Sequence, residues 1–403
     1  MKVLVIGGAG FIGTGITEYA VKYGHQVTAI TRHKHTWHEV TDRVNSIQSD
    51  WMNDKSARKI LNNKHYDIIV DGLIMTKKQM ERDIQLINGH CKHFFFISSA
   101  GVYNQPGENV REDTPIDSDK IYWSVMQNKR EIELYLENIR KQYNFMVTVI
   151  RPSVTYGDTR IPCAVLSRKN QLTLVQRVID GKPIIFADDN NSLHPISRID
   201  VFAKAVVSLF GKAEADGQTY HIADEQSYTW DDVAKAIGKA VNKKIQIIHI
   251  NVEKLKSLDP NLYIEVKYNK FDTLTLDISK IKQMCPEEKF HTDLNQDLKN
   301  IISNIKKVNA NIPLDDRFNR ISDILIADYI SCGGNNNEKK IAKNYISSLD
   351  DDYVKSLPLL RKKIERDVIR QQRKQVLKDH VKEILPDCIV SIIILMKKTI
   401  FAK

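Results

Sequence analysis

The chain has 403 residues, 42% hydrophobic and 27% charged, with a formal charge of +10, so it can bury one large α/β core and carry an appendage. The absence of an 18-residue apolar run excludes a membrane-spanning helix; the N-terminus reads as a short strand and glycines, not a signal peptide, so a soluble cytoplasmic protein is expected. Five scattered cysteines, Cys91, Cys163, Cys285, Cys332 and Cys388, show neither a CxxC pair nor a zinc-type spacing; they read as thiols in a reducing compartment, and no metal site is expected.

Val3 to Ile6 form an unbroken aliphatic run, the pattern of a central parallel strand covered on both faces. Gly7, Gly10 and Gly13 follow at the spacing that turns the chain tightly, admits a pyrophosphate to the backbone and lets the next helix pack on the strand. Phe11 and Ile12 lie in the same turn, ahead of a helix from Thr14 to Tyr23 whose N-terminus favours an anion. A second strand, Val27 to Thr31, ends in Thr31-Arg32-His33-Lys34 without the acid that holds a ribose 2′-hydroxyl. Arg32 is therefore expected to meet a 2′-phosphate, which favours NADP with NAD as second choice, unless these bases are simply exposed.

A third strand, Val44 to Ile47, precedes Ser49-Asp50, where Asp50 either accepts from an adenine amino group or serves a turn. Strands at Asp67 to Val70 and His93 to Ser98 end in Asp71-Gly72-Leu73-Ile74 and Ser98-Ser99-Ala100-Gly101-Val102-Tyr103. The alternation predicts a doubly wound parallel sheet with ligands beyond the carboxyl ends of its strands, where Gly7, Gly72 and Ser99 fall. A helix from Trp123 to Lys141 carries Lys129 and Glu133 one turn apart, spacing that also suits a surface pair. The strand Phe145 to Ile150 stops at Arg151-Pro152, with Tyr156-Gly157 beyond. Downstream, helices are predicted at Gln171 to Ile179 and Ile199 to Phe210, and strands at Pro183 to Phe186 and Thr219 to Ile222. Thr229 and Asp232 form a capping box that opens a helix to Val241, and Ile245 to Ile250 ends the recognisable core.

Together, Gly7-Gly-Ala-Gly-Phe-Ile-Gly13, Ile97-Ser-Ser-Ala-Gly-Val-Tyr103, Lys129 with Glu133, Arg151-Pro152 with Tyr156-Gly157, and Arg198-Ile-Asp-Val-Phe-Ala203 carry a resemblance. The chain resembles the extended and atypical short-chain dehydrogenase/reductases, the NAD-dependent epimerase/dehydratase superfamily, from Met1 to about Ile250 and more weakly to Val308. Val70-Asp-Gly-Leu-Ile-Met-Thr76 and Asn128-Lys-Arg130 are similar to an atypical subgroup of sugar-nucleotide enzymes and chloroplast RNA-binding relatives. The resemblance implies a Rossmann-type sheet with a smaller C-terminal substrate subdomain and a nucleotide-sugar or related hydroxyl- or carbonyl-bearing substrate. It implies that Gly7, Gly10, Phe11, Ile12 and Gly13 seat the diphosphate, and that Gly72 and Pro152 complete the cofactor contacts. By the same resemblance Lys129 holds the nicotinamide ribose and Ser99 orients the substrate oxygen.

The superfamily's proton-handling phenol stands four residues before the lysine, and here that position is Val125. Three readings stay open. Tyr122 replaces it from seven residues before Lys129, about 10 Å along a helix; Tyr103, Tyr156 or His194 does so in a modified reaction; or the fold binds a dinucleotide, or RNA, without turnover. Val201 is a second departure, at a position where relatives carry another acid.

The expected organisation is a dinucleotide-binding core over residues 1–157, a substrate subdomain over 158–312 and a helical basic extension over 313–403. In the extension, Asp315 to Tyr329 reads as a helix, Cys332 to Asn337 as a loop, and Leu357 to Leu385 as a long basic helix with an apolar stripe at Leu360, Ile364, Val368, Val376 and Leu377. Such a stripe packs on the parent domain or on another subunit, and a homo-oligomer is expected. Membrane contact, resting on Ile389 to Met396 and its flanking lysines, and nucleic-acid contact through the basic helix are the less favoured readings.

Overall fold

The computed structural model describes residues 1–37, 40–103, 107–116, 123–187, 191–332 and 334–384. The first half alternates strand and helix: β1 (Lys2–Ile6), α1 (Phe11–Lys22), β2 (Gln26–Thr31), β3 (Val44–Gln48), α2 (Asp54–Leu61), β4 (Tyr66–Asp71), α3 (Lys77–Ile87), β5 (Cys91–Ile97), α4 (Ser124–Ile139) and β6 (Met146–Pro152). There follow β7 (Val154–Tyr156), α5 (Leu172–Ile179), β8 (Ile184–Ala187), β9 (His194–Arg198), α6 (Ile199–Ser208), β10 (Gln218–Ile222), β11 (Ser227–Tyr228), α7 (Trp230–Ala240) and β12 (Ile247–Ile250). Six further helices follow among the described residues: α8 (Pro260–Asn269), α9 (Ser279–Met284), α10 (Leu294–Val308), α11 (Asp316–Ser331), α12 (Asn336–Ser347) and α13 (Asp351–Ile384).

Seven strands form one parallel sheet in the order β10-β6-β5-β4-β1-β2-β3. Strand periodicity divides its side chains between two cores. Val3, Val5, Phe95 and Ile97 face α1 and α6, whereas Leu4, Ile6, Phe94 and Phe96 face α2, α3 and α4. That double burial is why β1 and β5 read as continuous apolar runs. Val201, the second departure noted from the resemblance, is buried in the first of these cores, where an apolar side chain satisfies the packing.

A third core gathers α5, α7, α8, α10 and the parallel pair β8–β12, and it extends into the C-terminal helices. Phe318, Ile321, Ile324, Leu325 and Ile326 of α11 are buried in it, as are Ala342 and Tyr345 of α12 and Leu357 and Ile364 of α13. At its centre Asp323 pairs with Arg177 at 2.9 Å and accepts from the hydroxyls of Tyr345 and Tyr353 at 2.7 and 2.9 Å. The tail therefore docks on its own chain through Ile364 and Val368, but Val376 and Leu377 of the expected stripe are 69% and 65% exposed. Asn336, expected in a loop, begins α12, where Asn335 caps the helix by accepting from Asn337 N. No described helix is long and apolar enough to cross a membrane.

Candidate dinucleotide site

Gly7 leaves β1 at φ +82°, a conformation that favours glycine, and turns the chain toward α1. At Gly13 an added Cβ would stand 2.2 Å from the Gly7 carbonyl oxygen, so the helix meets the turn this closely only without a side chain. Trp37, fully buried, braces the turn by donating from Nε1 to the Gly8 carbonyl at 3.0 Å. Gly10 is the N-cap of α1 and brings no capping side chain, and the first turn contains no acid. The leading amides, those of Phe11, Ile12 and Gly13, have no intrahelical acceptors, and their dipole end is uncompensated. A Cβ on Gly10 would meet only the Gly7 oxygen, at 3.3 Å, and one on Gly72 only Ile97, at 3.9 Å, so the surface between them is open. Donors without acceptors beside open glycines fit the diphosphate of a dinucleotide.

On the β2 and β3 side, Thr31 donates from Oγ1 to the His33 carbonyl at 2.8 Å, and Arg32, His33 and Lys34 are exposed. Asp50 is exposed and accepts from Met52 N at 3.0 Å in the loop before α2.

At the ends of β4 and β5 the chain places Asp71, Gly72, Ser99 and Lys129. Lys129 reaches from α4 to donate to the carbonyls of Ile74 and Ile97, both at 2.8 Å, with its ammonium 4.6 Å from the centre of the Phe96 ring. It is 5% exposed. Burial pulls its pKa down to about 8 against the opposing pull of Asp71 and Glu133. Asp71 is fully buried, accepts from Leu73 N at 2.7 Å through Oδ1, and has no partner for Oδ2 among the described residues. Burial, then the adjacent Asp83 carboxylate, raises its pKa well above the usual carboxylate range. A protonated Asp71 resolves the orphan, because Oδ2 then has a hydrogen to give Asp83. Ser99, half-buried, accepts from Gly101 N at 3.0 Å and keeps its own hydroxyl hydrogen to donate.

Val125 is half-buried in the first turn of α4, one turn before Lys129, and Tyr122 lies outside the described residues. The other proposed proton donors are committed elsewhere. Tyr156 bonds Thr292 and Asp297 at 2.8 and 2.9 Å; His194 stacks on Trp230 and bonds Ser192, with burial holding its pKa down at about 3. Tyr103 belongs to a buried network that sequence reasoning missed. Glu133 accepts from Ser98 and, at 2.6 Å, from Arg151; Arg151 also donates to the hydroxyl of Tyr103, which meets Nε2 of His221. Burial is the main force raising the Tyr103 pKa and lowering that of His221 to about 4. The i,i+4 spacing of Lys129 and Glu133 suggested a pair, but the strand-end cation Arg151 takes the carboxylate instead.

A parallel seven-stranded sheet with an uncapped glycine turn at its switch point defines a Rossmann-type dinucleotide-binding protein. The chain belongs to the NmrA-like family, whose profile matches residues 1–294. It is 23% identical over 333 residues to the UDP-N-acetyl-alpha-D-glucosaminuronate decarboxylase of Bacillus cytotoxicus, covering 76% of this chain and 98% of that protein. It is 24% identical over 265 residues to the chloroplast stem-loop binding protein of 41 kDa b of Arabidopsis thaliana, covering 62% of this chain and 66% of that one. Among solved structures it is similar to UDP-glucuronic acid 4-epimerase from Bacillus cereus in complex with UDP-glucuronic acid and NAD, with TM-score 0.60, 17% identity, and coverage of 76% and 100%. It is likewise similar to UDP-glucose 4-epimerase from Bifidobacterium longum in complex with NAD+ and UDP, with TM-score 0.61, 17% identity, and coverage of 77% and 99%.

These complexes overturn the expectation of NADP, because the dinucleotide they hold is NAD. Arg32, assigned to a 2′-phosphate, is an exposed loop residue whose carbonyl accepts from Gln48.

Proposed function

We propose that this chain is an NAD-dependent enzyme of the epimerase/dehydratase type, acting on a nucleotide sugar or a related hydroxyl- or carbonyl-bearing small molecule. The observation that carries this reading is the uncapped N-terminus of α1 in the same strand-end row as Ser99 and Lys129. Bound NAD would supply hydride exchange at a hydroxyl-bearing carbon. The turn at Gly7, Gly10 and Gly13, with the amides of Phe11 and Ile12, would hold its diphosphate, Asp50 its adenine, and Gly72 and Pro152 the path between. Lys129 has spent two of its three N–H groups on carbonyls and would give the third to the ribose. Ser99 would donate to the substrate oxygen.

Val125 cannot move a proton, and Tyr103, Tyr156 and His194 are tied into buried bonds, which leaves Tyr122 as the phenol proposed for that task. The test is to incubate the protein with NAD and UDP-sugars and follow products by NMR. Epimerised, dehydrated or decarboxylated sugar is expected, with about a 100-fold or greater loss in Tyr122→Phe. The same commitment of the alternative donors favours a second reading, a dinucleotide-binding protein without turnover. Bound NAD with no product from any UDP-sugar would decide for it.

A further inference from the structure

Between Lys362 and Lys374, α13 carries six exposed cations: Lys362, Lys363, Arg366, Arg370, Arg373 and Lys374. At 100° per residue they fall within an arc of about 120°. The arc lies opposite the positions of Leu357, Ile364 and Val368, which are buried against the protein. Glu365 lies outside the arc and is bonded to Arg361 and Ser257; Asp367 stands at its flank. From Ile369 to Leu377 every residue is exposed, so this part of the helix has left the third core. Ile369 and Leu377 line a shallow groove of about 370 Å³ together with Arg366, Arg370, Arg373 and Lys374, which puts cations and large aliphatic groups on one surface.

We propose that this face of α13 binds an anionic membrane surface, with the helix lying in the interface rather than crossing it. Clustered cations are attracted to acidic headgroups, and exposed aliphatic side chains gain by entering the headgroup boundary. A nucleic acid would use the cations and leave Ile369, Val376 and Leu377 in water; residues 354–384 contain no Phe, Trp or Tyr on which bases could stack. A second α13 would set like charges face to face.

The experiment is co-sedimentation of the full chain with vesicles of phosphatidylcholine alone or with about 30% phosphatidylserine, at about 0.1 M salt. Binding to the anionic vesicles only, weakening as salt rises, is expected. A variant carrying Arg366→Gln, Arg370→Gln, Arg373→Gln and Lys374→Gln should lose about 100-fold or more in partitioning, with an unchanged thermal midpoint because these side chains are exposed. Equal binding to neutral vesicles, no binding to either, or undiminished binding by the variant would overturn the proposal. Tight binding of an RNA duplex, lost in the variant and without vesicle binding, would assign the face to nucleic acid instead.

Discussion

Lys129 of α4 donates to the carbonyl oxygen of Ile97 at 2.8 Å, bolting the helix to the carboxyl end of β5. A second bond to Ile74 ties in the loop after β4. Lys129→Met leaves both buried carbonyls without a donor while removing the cost of a buried charge, so a net loss of about 2 kcal/mol is expected in urea unfolding. The pH response follows from linkage. The folded pKa is lowered from 10.5 to about 8, so between those values the unfolded chain binds more protons and the contribution of Lys129 to stability rises with pH. Lys129→Met should lack that rise when urea midpoints are compared across this window; parallel curves would contradict it.

Glu133 neutralises Arg151 where both are nearly buried, at 6% and 5% side-chain exposure. Glu133→Ala strands the guanidinium and should cost about 3–5 kcal/mol in the same assay. A loss under about 1 kcal/mol would mean that the network is not bearing on stability.

His249 of β12 meets Asp231 at 3.1 Å through Nε2 and Glu338 of α12 at 2.9 Å through Nδ1. Burial works against its charge, but the two carboxylates prevail and raise its pKa above 6.5. Its stabilising contribution is therefore complete below that value and is lost as pH rises through the folded pKa. Relative to His249→Gln, the thermal midpoint of the wild type should fall as pH increases from neutral. A pH-independent difference would show that the imidazole is not charged there.

Val125→Tyr places a phenol one helical turn before Lys129. If Tyr122 serves from a poorer position, turnover of an accepted UDP-sugar should rise by about tenfold or more. An unchanged rate would show that another step limits the reaction.

The sheet was legible because burial on both faces leaves unbroken runs such as Val3 to Ile6, and because glycines punctuate them. The capping box at Thr229 was readable for a similar reason: Asp232 returns the bond to the backbone of Thr229. Less legible were contacts between distant segments. Nothing near Arg151 indicates that it claims Glu133, and nothing near Asp323 announces Arg177, Tyr345 and Tyr353. The cofactor preference failed for a different reason. A basic residue after β2 has the same spelling whether it grips a phosphate or is an ordinary loop residue, so Arg32 alone does not tell NADP from NAD.

Calorimetric titration of NAD into the full chain shows whether the glycine turn and the amides of α1 hold the dinucleotide. Gly10 has φ −71° and ψ 160°, ordinary for any residue, and a Cβ there presses only on the Gly7 oxygen, at 3.3 Å, so Gly10→Asp should keep the fold with a slight shift of the turn while setting a carboxylate against the diphosphate. A dissociation constant below about 1 mM is expected for the wild type, with at least about tenfold weaker binding by a Gly10→Asp protein whose thermal unfolding shows it to be folded. No measurable heat of NAD binding up to millimolar concentrations, or equal affinity in the two proteins, would contradict this.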